Sequence, residues 1–113
     1  MSPFDDLLAQ AHAALRTVDG VTTASWGDIT LSSHFQPIFS LSHGRVVGHE
    51  ALMRARHEDG TPLSPPEVFA HCADRQALGA CDRLSRLVHV HNIDPGRLRD
   101  HWLFLNVHST VLS

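Results

Sequence analysis

The chain has 113 residues and a formal charge of −3, from 9 Lys and Arg against 12 Asp and Glu with 10 His taken as neutral. With 42% apolar and 19% charged residues, this is the composition of one small folded domain, not of a disordered tail. The mildly acidic balance argues against a nucleic-acid polymer as partner, because proteins that bind one carry a basic stripe over its phosphates. No apolar run approaches the roughly 20 residues of a membrane helix. The acidic start, MSPFDDLLAQ, lacks the basic region of a secretory signal. Cys72 and Cys81 form neither a CxxC pattern nor a disulfide framework. A cytoplasmic protein without a membrane segment is expected.

Residues 3–18 carry Phe4, Leu7, Leu8, Ala11, Leu15 and Val18 at steps of three and four, the spacing of an amphipathic helix. Ser2 is placed to cap it, Pro3 suits its first turn, and Asp5 and Asp6 favour its positive end. Asp19-Gly20 ends this helix, and the small, polar stretch that follows reads as a linker. Residues 1–28 are therefore expected to be an N-terminal helix and linker, and residues 29–113 a separate unit.

From Ile29 the pattern becomes extended. ITLSSHFQPIF reads as a strand, with Pro37 unable to donate a ladder hydrogen bond and so confined to an edge or an irregularity. SLSHG is turn material and RVVGHEALMR a second strand, antiparallel to the first because the turn is so short. Ser64-Pro65-Pro66-Glu67 has the form of a capping box and opens a helix with Val68, Phe69, Cys72 and Ala73 on one side. After Gly79 a second stripe of Cys81, Leu84, Leu87 and Val88 continues, as a new helix or across a kink, until Asp94-Pro95-Gly96 stops it. The apolar density of WLFLNV predicts a strand buried on both faces, as in a parallel sheet. Hairpin, crossover helix and buried strand together make the opening of an α/β fold.

Two polar residues interrupt these apolar strands. Glu50 shares a strand face with Gly48, Leu52 and Arg54, and a carboxylate there is costly unless it is paired, hydrogen-bonded or bound to metal. Arg54 lies roughly 13 Å further along at about 3.3 Å per residue, too far for a direct bond. Gly48 leaves room for a ligand to approach the backbone. Asn106 interrupts WLFLNV on the face of Phe104 and His108. A carboxylate and an amide oxygen on neighbouring strands are hard ligands, suited to Mg²⁺, Mn²⁺ or Ca²⁺. The alternative is structural: a buried Glu–Arg pair and a core Asn with a satisfied amide.

The segment FQPIFSLSHGRVVGHEALMRAR, followed by GTPLSPPEVFAHCADRQALGACDRL and WLFLNV, resembles the start of the EAL domain, the family of bacterial phosphodiesterases that hydrolyse cyclic di-GMP. The triplet Glu50-Ala51-Leu52 alone is a weak motif. The collinear set is stronger: Gln36-Pro37-Ile38, Gly48-x-Glu50-Ala51-Leu52-x-Arg54, Pro66-x-x-Phe69 and Asn106, over about Ile29 to Leu112. The resemblance implies the first strands and helices of an EAL-type TIM barrel, truncated, with its first strand antiparallel and an extra N-terminal helix. It further implies Glu50 and Asn106 as ligands of a catalytic Mg²⁺ or Mn²⁺, and Gln36, Leu52 and Arg54 as contacts to the dinucleotide. A TIM barrel needs about 250 residues and eight strands, so no complete catalytic set is expected in this chain, and cyclic di-GMP should bind weakly or not at all. The chain is then expected either to be the N-terminal part of a metal-dependent cyclic di-GMP phosphodiesterase, completed by the remainder of its domain, or to be a shortened, non-catalytic module acting through oligomerisation or protein contacts.

The histidines read mainly as surface or satisfied groups, since His89-x-His91 has strand rather than helix ligand spacing; a zinc-binding protein is the third possibility. Cys72 and Cys81 read as buried, inert thiols.

Overall fold

The computed structural model describes residues 3–94, 96 and 101–109, and in the first helix the side chains of Asp6 and residues 9–14. The elements in order are α1 (Pro3–Ala14), β1 (Leu15–Val18), β2 (Val21–Trp26), β3 (Ile29–Ser40), β4 (Arg45–His57), β5 (Pro62–Leu63), α2 (Pro65–Ala70), α3 (Arg75–Asn92) and β6 (Trp102–Leu105). The expected Ser2 cap, the side chains of Asp5, Phe4, Leu7 and Leu8, and Pro95 of the helix stop lie outside the described residues.

Two expectations for the first 28 residues are corrected. The helix ends at Ala14, and Leu15–Val18, expected as its last turn, pairs antiparallel with Val21–Ala24. The expected linker is strand β2, which pairs in turn with β3 through Ala24↔Leu31, Ser25↔Thr30 and Trp26↔Ile29. The physical reason is the turn chemistry. Asp19 and Gly20 both adopt positive φ, 52° and 80°, as a two-residue type I′ hairpin demands, and β-branched Thr17, Val18, Val21, Thr22 and Thr23 flank them.

The long hairpin is as expected. β3 and β4 run antiparallel from Ile29↔His57 to Ser40↔Arg45, with a register shift between Ile38 and Phe39. Pro37 lies beside that irregularity, on a stretch of β3 that extends past the pairing with β2. β6 then joins β4 in parallel, Gly48↔Trp102 to Ala51↔Leu105, giving a mixed sheet of six strands among the described residues. Ser64 caps α2 with a full capping box, its Oγ accepting from Glu67 N (3.3 Å) and Glu67 Oε1 accepting from Ser64 N (3.0 Å). The second stripe is a new helix. It begins at Arg75, capped by Asp74, so that Gly79 sits inside it and not before it.

One face of the sheet packs on α3. Ala24, Ile29, Leu31, Met53 and Ala55 meet Cys81, Leu84, Val88 and Val68 in a single core, with Ala11, Ala14 and Leu15 at its margin. Alternation sends Ser32, His34, Gln36, Gly48, Glu50, Leu52, Arg54, Trp102 and Phe104 to the other face. That face carries no helix among the described residues. The expected two-sided burial of β6 is not found: Trp102 is 70% and Phe104 48% exposed on the open face, and Leu105 on the other is still 37% exposed, because among the described residues β6 pairs with β4 alone.

Candidate functional site

Glu50 and Asn106 meet. Asn106 Nδ2 donates to Glu50 Oε1 at 3.2 Å, across the parallel β4–β6 pairing that puts Glu50 opposite Phe104. Asn106 stands one residue beyond β6, and its position two after Phe104 keeps it on the open face. Gln36 is the direct cross-strand partner of Glu50 on β3 and is exposed. Three of the five singled-out residues thus share one row and its neighbour on the uncovered face.

Arg54 and Leu52 sit elsewhere along β4. Arg54 is exposed and folds back, Nη1 donating to the Met53 carbonyl at 3.2 Å, while Ser32 Oγ donates to the Arg54 carbonyl at 3.5 Å. The expected separation between Arg54 and Glu50 follows from four residues of extended chain, and neither a Glu50–Arg54 pair nor a buried Asn106 is found. The β4 stretch 51–54, both faces included, and the 106–108 segment line a cavity of about 260 Å³ together with Phe69 on α2 and Asp82 and His89 on α3. The room expected over Gly48 is occupied by protein. A Cβ there would lie 2.6 Å from the Trp102 carbonyl oxygen and 3.2 Å from Phe104 Cε2, so this glycine admits β6 rather than a ligand.

Nothing in the local sequence pattern singles out Asp82. It is buried on α3, pairs with Arg86 four residues on, and through Oδ1 accepts from the backbone N–H of His108 at 3.3 Å. An Asp and an Arg at i and i+4 look like a surface pair; only the full width of the buried face, which also takes in Ser85 and His89, separates this pair from one.

The thiols lie away from this site, and His89, which borders the cavity, is engaged by two serines. His89 Nδ1 is 2.6 Å from Ser33 Oγ and its Nε2 is 3.4 Å from Ser85 Oγ; burial pushes the imidazole down to about 4. His91 faces away, its ring against that of His12. Among the described residues no group of three or more His, Cys, Asp or Glu could hold a metal. Cys72 and Cys81 are free thiols raised by burial, Cys81 to about 12, too high for a nucleophile.

The sequence that forms this antiparallel hairpin, helix and parallel strand matches a family model. The EAL domain profile covers residues 27–112, and the chain belongs to the EAL domain family. A 32-residue stretch is 56% identical to the "Probable cyclic di-GMP phosphodiesterase PdeB" of Escherichia coli (strain K12). That stretch is 28% of this chain and 6% of the relative's length. No solved structure matches the chain.

Proposed function

We propose that this chain is the opening part of a cyclic di-GMP phosphodiesterase domain, in which Glu50 and Asn106 supply two oxygen ligands to Mg²⁺ or Mn²⁺. The observation that carries the reading is the 3.2 Å contact between these two side chains on the open face of the sheet. The donor set fits in kind: a carboxylate and an amide are hard oxygen donors, and Mg²⁺ takes few protein ligands because it keeps waters and substrate phosphates in its shell. The fit is partial in number. In the observed contact the amide N–H meets the carboxylate; holding a cation together requires Asn106 to present its oxygen instead. When bound, such a cation supplies charge neutralisation on a phosphate and an acidified water.

The chain's own residues have the remaining roles. Gln36, beside Glu50, offers an amide to the dinucleotide; Leu52 offers apolar and backbone contact; Arg54, once released from its own strand, offers a charged fork to a phosphate. The barrel expected from the family is supported by the antiparallel β3–β4 hairpin and the parallel β6. On this reading the domain begins at Ile29, and residues 1–28 are an appended segment whose two strands lengthen the same sheet. The chain alone is then inactive and binds cyclic di-GMP weakly at most, its partner being the remainder of the domain. A cytoplasmic location is part of the proposal; none of the described helices is long and apolar enough to cross a membrane.

Mn²⁺ titration of the chain, followed by water-proton relaxation, tests the ligand assignment. Weak saturable binding that Glu50→Ala abolishes and Asn106→Ala weakens is expected. Binding untouched by Glu50→Ala refutes it. The exposed apolar side chains of β6 favour one second reading, a shortened, non-catalytic EAL-like module that works by self-association or protein contact. Sedimentation velocity showing a monomer at all concentrations counts against that reading.

A further inference from the structure

Asn106 lies just beyond the ladder that fixes β6, whose last pairing is Ala51↔Leu105. A residue in that position is free to swing unless the chain after it is held. Two residues on, His108 is held twice. Its backbone N–H donates to Asp82 Oδ1 at 3.3 Å, and its ring packs edge-on against Phe69, centroids 4.8 Å apart. Asp82 is only 5% exposed, and its second oxygen, Oδ2, is bonded by Arg86 Nη1.

Burying a carboxylate on a helix face is costly, and an i, i+4 pair with Arg forms equally well on a helix surface. The Arg86 pair therefore does not account for Asp82 facing inward. What the inward position adds is reach: a charge-assisted bond from α3 to a main-chain N–H in another layer. We infer that Asp82 is a positioning residue for Asn106. Its carboxylate, steadied by Arg86, anchors the 106–108 segment and so keeps the Asn106 amide beside Glu50. The inference deepens the cation-site reading and rests on it for the purpose of the contact, though the anchoring itself is a property of this chain's geometry.

The test uses the isotope-labelled 113-residue chain in solution NMR. Asp82→Asn keeps an acceptor oxygen and loses the charge; Asp82→Ser is too short to reach. In the unsubstituted chain and in Asp82→Asn, the His108 amide should exchange slowly, and the Asn106 side-chain amide should show a cross-peak to the Glu50 side chain. In Asp82→Ser, His108 exchange should rise roughly tenfold or more and the cross-peak should vanish, while the Leu84 and Val88 amides hold within about twofold. A cross-peak that survives in Asp82→Ser overturns the inference, as does a His108 amide that exchanges freely in the unsubstituted chain. Should Asp82→Ser not fold, the decision falls to His108 protection in the unsubstituted chain and its retention in Asp82→Asn. Mn²⁺ broadening is read separately. No broadening in the unsubstituted chain, with the contact still dependent on Asp82, removes the cation reading and leaves the positioning role. Equal broadening in Asp82→Ser, with the cross-peak lost, overturns the link between this anchor and the cation site.

Discussion

At the scale of single residues, burial sets the chemistry more firmly than residue type does. His89 is 3% exposed, joined to Ser33 and Ser85 and touched by the Phe35 ring, with its imidazole held near 4 against an ordinary 6.5. Above about pH 6.5 the folded and unfolded chains both keep it neutral, and its contribution to stability is complete. As the pH falls below that, the unfolded chain takes up a proton that the folded chain refuses, so stability drops until about pH 4, where the folded form is protonated too. The loss amounts to about 3 kcal/mol. Urea unfolding at pH 7.5, 6 and 4.5 should show it, with most of the slope removed in His89→Gln; identical slopes in the two proteins would refute the assignment. Asn92 illustrates the same principle without charge. Its amide both accepts from Thr22 N and donates to Thr22 O at 2.7 Å, acting as one more backbone partner at the β2 edge. Asn92→Ala leaves both backbone groups unpaired and should cost about 2 kcal/mol in thermal or urea unfolding; a loss below a few tenths would mean that water replaces the amide without penalty.

At the scale of elements, the sequence was legible wherever local chemistry alone decides the outcome. The capping box at Ser64 and the β3–β4 turn are written in a few adjacent residues, and both are present. The first hairpin was equally local, yet Leu15 and Val18 also fall on the stripe of the preceding helix, and that period masked the Asp19-Gly20 turn. Turn residues needing positive φ are the stronger signal, since few sequences satisfy them, whereas a stripe of six apolar positions arises easily. β6 was legible as a strand and as parallel, but its burial was not, because burial depends on what lies across the sheet and not on the strand's own residues. Gly48 is where β6 docks. With the Trp102 carbonyl 2.6 Å from any Cβ at Gly48, Gly48→Ala must push β6 away from β4. A cost of about 1–3 kcal/mol is expected, with amides 103–105 losing exchange protection while α3 keeps its own. Undiminished protection in β6 would show that the strand docks without needing this glycine.

At the scale of the whole molecule, the Glu50–Asn106 pairing was readable from the residues, whereas its anchor was not: Asp82 is separated from Asn106 by a helix and a crossover, and nothing local links them. The sheet has one face filled by α3 and one open, and this asymmetry separates the two functional readings. Trp26 packs at the edge of the core, while Trp102 stands 70% exposed on the open face. Iodide should therefore quench Trp102 strongly and Trp26 weakly in dilute protein, as resolved with Trp26→Phe and Trp102→Phe. If further strands of a barrel complete the domain, the same chain embedded in the full domain should lose Trp102 quenching at every concentration. If copies of this chain cover one another instead, quenching should fall as the concentration of the isolated chain rises. A Trp102 shielded even in the dilute monomer would contradict both readings, because each requires that face to be bare before its partner arrives.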